Sequence, residues 1–268
     1  MARFCDRIVR AGAVAFTALF APLGQSHSQE CGGVTLAAGA VRAVIDGRTL
    51  ALTDGTVVRL AGLDLPSGDD PSTKSLAAQA KAFLESLASG RTITAKSESR
   101  SRDRYGRVPA YVFLTEGLEG PLQRAILARG FARVAARAGE RICAGGLLAS
   151  ERRAREAGLG LWGDPRHAVQ RAEDFAAVMA RRGTFALIEG RVVSVRESGG
   201  TIFVNFGRRW SEDFTVTIAK RNERTLVGAG LNPKSLERRF VRVRGFVEER
   251  GGPWIEVTRP EQVEVIGN

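Results

Sequence analysis

Two Asp-Gly pairs, Asp46-Gly47 and Asp54-Gly55, interrupt a run of short apolar segments early in the chain. Asp-Gly is a strong tight-turn signal, because glycine tolerates the positive φ that such turns use. Residues 33–63 therefore read as short strands that fold back on one another. At residues 71–90 the period changes: Leu76, Ala80, Phe83 and Leu87 fall on one helical face, a Ser/Thr cap precedes them, and Gly90 closes the helix. Strand patterns return at 91–99 and 107–114, followed by helical stretches at 121–130 and roughly 140–157. Three strands, a helix, two strands and two helices fit a five-stranded, strongly bent antiparallel sheet, closed into a small barrel with helices against it.

The second half repeats the order. A Pro-containing, mixed-charge stretch at 162–174 reads as a boundary, and a short helix over about 170–181 leads onward. Strand patterns occupy 184–197, 201–206 and 213–219, a helical or irregular stretch fills 220–237, and strands resume at 239–249 and 253–260. The expected fold class is mainly β with packed helices (α+β), with two small barrels in tandem. Residues 33–165 form the first unit, 166–183 the connection and 184–268 the second.

The first residues read as a leader rather than as fold. Arg3, Arg7 and Arg10 precede the apolar run "AGAVAFTALFAPL", and "SHS" at 26–28 supplies small residues for cleavage, so residues 1–28 are expected to be a signal peptide and the chain to be periplasmic or secreted. A retained anchor is the alternative. Cys5 leaves with the leader, and Cys31 and Cys143 remain to form a disulfide in an oxidising compartment, against the alternative of two buried thiols. With no Cys-x-x-Cys pair and only two histidines, His27 and His167, the chain lacks the makings of a zinc site or a Ser/His pair. Forty Lys+Arg against 29 Asp+Glu give a net charge of +11, a surplus that favours polyanions.

Several segments together carry a resemblance: "VIDGRT" (44–49), "RLAGLDLP" (59–66), "RDRYGRVPAY" (102–111), "ILARGFARV" (126–134) and "ERRAREAGLGLW" (151–162). In this order and spacing they resemble the staphylococcal nuclease (thermonuclease) family across residues 34–165. The resemblance implies an OB-type barrel that hydrolyses DNA and RNA phosphodiesters with Ca²⁺. Arg59 and Arg107 match the family's phosphate-binding, catalytic arginines, and Asp64 matches a metal-ligand aspartate. Arg104 and Tyr105 fall where the family contacts a bound nucleotide, although Tyr105-Gly106 also reads as a turn packed beside the barrel.

The chain departs from that pattern at the positions the chemistry needs most. A hard divalent cation requires carboxylate and carbonyl oxygens, and an attacking water requires a carboxylate to orient or deprotonate it. Where the family has a second metal-binding aspartate this chain has Arg48, and Ser67 stands where the water-activating glutamate is expected. Two readings of Asp69 and Asp70 stand open: one of them completes a rearranged metal site with Asp64, or both sit at the start of the 71–90 helix and favour its dipole. An arginine-filled pocket of Arg48, Arg59 and Arg107 could hold phosphate without metal.

In the second barrel Phe203, Phe206 and Trp210 stand near Arg208 and Arg209, a pattern suited to stacking bases over a basic groove. The same aromatics at period two also suit a core, and the arginines a solvated face. The leading expectation is an exported nucleic-acid-binding protein for single-stranded or flexible DNA or RNA, with phosphodiesterase activity lost or reduced. An active metal-dependent secreted endonuclease with a rearranged site, and an envelope protein-interaction module, are the alternatives.

Overall fold

The structure, a computed structural model, describes residues 33–135, 144–209 and 212–267. The leader at 1–28, the Cys31–Cys143 bridge and Trp210 lie outside the described residues. Among the described residues no helix is long and apolar enough to cross a membrane.

The first barrel depends on one long strand. β1 (Val34–Asp46) pairs through its first half with β5 (Thr92–Ser97) and through its second half with β2 (Thr49–Leu52). This strand therefore belongs to both sides of the sheet. β3 (Val57–Leu60) follows β2 antiparallel and lies parallel to β6 (Val108–Leu114), and the order β1-β2-β3-β6-β5 closes on itself. Between β3 and β6 the chain makes β4 (Leu63–Asp64), α1 (Pro71–Ala88) and β5. α2 (Leu122–Ala128), β7 (Arg133–Val134) and α3 (Ala144–Glu156) complete this half. β4 and β7 pair as a small separate sheet, which periodicity could not register in segments of two residues.

Apolar residues of the strands (Leu50, Leu52, Val58, Leu60, Ile93, Val112) and of the helices (Leu84, Ile126) form one buried cluster. Gln123 is fully buried within it: its amide donates to the carbonyls of Ala61 (3.3 Å) and Ala110 (2.9 Å) and accepts from the Val112 N–H (3.3 Å). Asp70, rather than a Ser or Thr, is the N-cap of α1, accepting from the Thr73 N–H at 3.0 Å.

In the second half β8 (Gln170–Arg171) and the five-residue α4 (Phe175–Met179) stand where one longer helix is expected. β9 (Phe185–Arg191) and β10 (Ser194–Ser198) are two legs of one bent stretch, followed by β11 (Thr201–Asn205), β12 (Thr215–Ala219) and α5 (Lys220–Gly228). β13 (Phe240–Phe246), β14 (Glu248–Glu249), β15 (Pro253–Glu256) and β16 (Val263–Gly267) end the chain. The pairing repeats the first barrel only in part: the strands form two sheets, β10-β11-β12-β15-β14 and β16-β13-β9-β8, around one core, and among the described residues no ladder joins β13 to β15 as β5 joins β6, so this second barrel is open. β10, β11 and β12 form a meander, β12 runs parallel to β15, and β13 returns antiparallel to β9. β16 adds a further strand beside β13 that the residue pattern leaves unassigned.

A buried ionic knot joins the halves. Arg244 of β13 and Glu151 of α3 are 2 % and 0 % exposed, and the Arg244 Nη1 donates to both Glu151 oxygens at 2.8 and 3.0 Å. The same Nη1 reaches the Val134 carbonyl (3.2 Å), Glu151 accepts the Val134 N–H (2.5 Å), and Arg244 Nη2 bonds Glu264 of β16. Burial opposes the charge on Glu264, yet the Arg244 guanidinium beside it holds its carboxyl below the ordinary 4.5. Its contribution to stability is therefore present above about pH 4.5 and is lost as pH falls through the lowered value. Around the knot, Ala135, Phe185 and Leu187 form a small apolar cluster with Trp162 and Val169.

Arg244→Ala would leave Glu151 with Arg155 (3.2 Å) as its one guanidinium partner among the described residues, and the loss of the buried Arg244 partner costs up to about 3–5 kcal/mol. Denaturant unfolding followed by tryptophan fluorescence checks this: the expected result is a lower midpoint, with the loss of stability shrinking as the pH is lowered toward 4.

Candidate nucleic-acid interface

The first turn sets the corner around Asp64. Asp46 accepts from the Arg48 N–H (2.8 Å) and from the Thr49 hydroxyl (3.1 Å), closing the turn on itself. Gly55 has the positive φ expected of an Asp-Gly turn, at 85°, but Gly47 does not. Glycine is needed at 47 for a different reason: a Cβ there would lie 2.8 Å from both the Ala80 Cβ and the Leu65 Cδ2, so the turn lies directly on α1. Arg48 is thereby carried toward β4, where its Nη1 donates to the Leu63 carbonyl at 3.3 Å.

Arg133 stands on Asp64: its Nη2 is 2.9 Å from the Asp64 Oδ2, across the β4–β7 pair in which the two residues face each other. The Arg133 guanidinium also lies 5.4 Å from the Phe185 ring centroid, so the second half of the chain covers this corner. Arg59 is 1 % exposed in β3, between Thr49 of β2 and Pro109 of β6. It presents no surface to a strand lying outside the barrel.

Asp69 and Asp70 take other work. Asp69 is exposed and ion-paired with Lys74 at 3.2 Å. Asp70 caps α1 and accepts from Arg166 Nη1 at 2.8 Å, and the Thr73 and Arg166 hydrogen bonds hold its carboxyl well below the usual carboxylate range.

The loop before β6 is a compact exposed lobe. Asp103 accepts from the N–H groups of Tyr105 (2.9 Å) and Arg107 (3.0 Å) and from the Arg107 Nε (2.7 Å). Burial opposes its charge, but these donors hold the Asp103 carboxyl below its ordinary value. Tyr105 is 66 % exposed, with the guanidinium groups of Arg104 and Arg107 at 5.0 and 4.9 Å from its ring centroid. An aromatic face flanked by two cations can stack a base and pair with phosphates.

The second barrel carries a groove of about 760 Å³ over β10, β11, β12 and β15. Cross-strand pairing places Arg196, Phe203 and Thr217 in one row and Ser194, Asn205, Thr215 and Trp254 in the next. Arg208 and Arg250 also line it, and Arg250 lies 4.7 Å from the Trp254 ring centroid. Of the aromatics expected to stack, Phe203 lines the groove but Phe206 does not. Phe206 is in the core against Phe214, with ring centroids 5.0 Å apart, because β11 ends there and its alternation turns that ring inward. Arg209 is paired with Glu212 at 3.0 Å, while Arg242 and Arg244 are committed to carboxylates.

With this geometry in view, residues 57–164 match the family model described as staphylococcal nuclease homologue. Residues 57–164 are a staphylococcal nuclease homologue domain. The matched span holds β3 to β6 of the closed barrel together with Asp64, Tyr105, Arg107 and Arg133. No curated protein matches the chain.

The family's Ca²⁺ chemistry can be tested against the donor set of the nuclease-homologue domain. Among the described residues no three His, Cys, Asp or Glu come together as metal ligands. Asp64 is engaged by Arg133, and Arg48 and Ser67 stand at the two positions where the sequence resemblance leads to an expectation of carboxylates. The residues present do not fit a hard divalent cation. Arg133 is the residue that reading the sequence missed. It is 69 positions from Asp64, and nothing in "FARV" marks it as more than another surface arginine.

Gly47→Ala would force Ala80 and Leu65 apart, at a cost of about 1–3 kcal/mol. The expected outcome in urea denaturation is a lowered midpoint for Gly47→Ala. Gly55→Asn should remain closer to wild type, because asparagine tolerates the positive φ there and a Cβ at 55 meets no atom within 4 Å.

Proposed function

We propose that this is an exported, thermonuclease-like protein that binds single-stranded or flexible nucleic acid, with phosphodiesterase activity lost or strongly reduced. The observation that carries the reading is the Arg133–Asp64 pair at 2.9 Å. The carboxylate matched to the family's metal ligand already holds a fixed cation, and no carboxylate stands at 48 or 67 to supply the other oxygens or to activate water. Neutral Ser67 cannot replace that base unaided.

Binding, in contrast, keeps its requirements. The Tyr105 lobe offers an exposed ring between two guanidinium groups. The second-barrel groove offers Phe203 with Arg196 and Arg208, neither of which has a carboxylate partner among the described residues. A net charge of +11 supplies long-range attraction to a polyanion. Phosphate contacts give affinity without sequence readout, and stacking on Tyr105 and Phe203 favours unpaired bases over a duplex.

Purified protein with a labelled single-stranded DNA, tested with Ca²⁺, Mg²⁺, Mn²⁺ and chelator, separates the two parts of the proposal. The expected result is binding that falls steeply with salt and no metal-dependent cleavage. Cleavage that requires metal and disappears in Asp64→Ala overturns the loss of turnover. Tyr105→Ala and Phe203→Ala are each expected to weaken binding by roughly 5- to 100-fold in fluorescence anisotropy. Unchanged affinity in both variants overturns the two binding surfaces.

A further inference from the structure

A cavity of about 170 Å³ lies beside Asp64, where the two barrels meet. Its walls come from three parts of the chain: Ser67 and Arg133 from the nuclease-homologue domain, Arg166 and His167 from the connection, and Arg181 and Thr184 from the approach to β9. A tetrahedral oxyanion fits that volume.

Three guanidinium groups and three carboxylates surround it, but they are unevenly paired: Arg133 holds Asp64, and Arg166 takes both Asp70 and Asp164. Arg181 has no carboxylate partner among the described residues, and its Nε is buried without a hydrogen-bond acceptor. The Arg133 Nε is likewise buried without an acceptor, in a side chain that is 9 % exposed. Burying such donors is costly unless an acceptor arrives. Burial and then Arg133 push the neighbouring His167 below its ordinary value, with Arg166 and Arg181 adding to the effect and Asp164 opposing it. The wall also carries a hydroxyl, Ser67, where a carboxylate would repel an anion.

We propose that this junction cavity is an oxyanion site that takes a phosphate group, either as free phosphate or as the terminal monoester of an oligonucleotide. Arg181 supplies a guanidinium without a carboxylate partner, the Nε–H groups of Arg133 and Arg181 are buried donors without acceptors, and Ser67 offers a hydroxyl on the wall. The site is separate from the Tyr105 lobe and from the second-barrel groove.

Isothermal titration with inorganic phosphate tests the site on the whole mature chain. Saturable binding is expected, weakened about 10-fold or more by Arg181→Ala and less by Arg181→Lys. Tyr105→Ala is expected to leave phosphate affinity unchanged, which separates this site from the strand-binding surfaces. Among the described residues the Arg181 side chain makes no hydrogen bond or ion pair that holds the fold, and the melting temperature of each variant without phosphate checks that it is folded. A short oligothymidylate with a 5′-phosphate, compared with its 5′-hydroxyl form, identifies the source. A gain from the phosphate that Arg181→Ala abolishes assigns a strand end, and binding of inorganic phosphate alone assigns the free ion. No saturable binding of either, or equal affinity in wild type and Arg181→Ala, overturns the proposal.

Discussion

The pairing of Arg244 with Glu151 is the interaction on which the arrangement of the molecule depends. Each partner is nearly or fully removed from water, and each belongs to a different barrel. A lone buried charge is far less tolerable than a paired one, so the two barrels satisfy each other's most expensive group. The same contact fixes what lies next to it. Val134 bonds the knot through both its N–H and its carbonyl, and its neighbour Arg133 is thereby held opposite Asp64. Phe185 then covers the Arg133 guanidinium. The junction of the barrels and the state of the corner around Asp64 are therefore one structural problem.

That coupling explains which parts of the molecule could be read from residues alone. Period-two and period-3.6 patterns, with turn glycines between them, were enough for both meanders, for α1 and for the order of the longer elements, but not for β4, β7, β8 or β16. They also carried the family resemblance, since "RLAGLDLP" and "YGR" bring Asp64 and Arg107 with them. Local pattern could not reveal partners chosen across the fold. Arg133 meets Asp64 and Arg244 meets Glu151 only after the chain has closed, and an arginine reads the same in sequence whether it faces water, a carboxylate or a core. Phe206 shows the matching limit for aromatics: three positions separate it from Phe203, yet one lines a groove and the other packs on Phe214.

Gly47 shows a subtler limit. The Asp-Gly pair marks a turn correctly, but the reason usually given for glycine holds at Gly55 and fails at Gly47. There the missing side chain makes room for α1, a requirement that belongs to packing and not to backbone conformation. Two identical dipeptides in one meander thus answer to different physics.

The knot also has a consequence for how this chain can be made and inherited. Glu151 precedes Arg244 by 93 residues, so during synthesis its carboxylate waits, hydrated, until nearly the whole polypeptide has emerged. The first barrel can gather its strands before then, but its outer helix cannot be sealed. A gene shortened after the first barrel would encode a protein whose Glu151 keeps Arg155 but loses the bonds from Arg244. The tandem units look like interchangeable modules, yet lending either one alone would cost each side of the pair one of its two ionic partners.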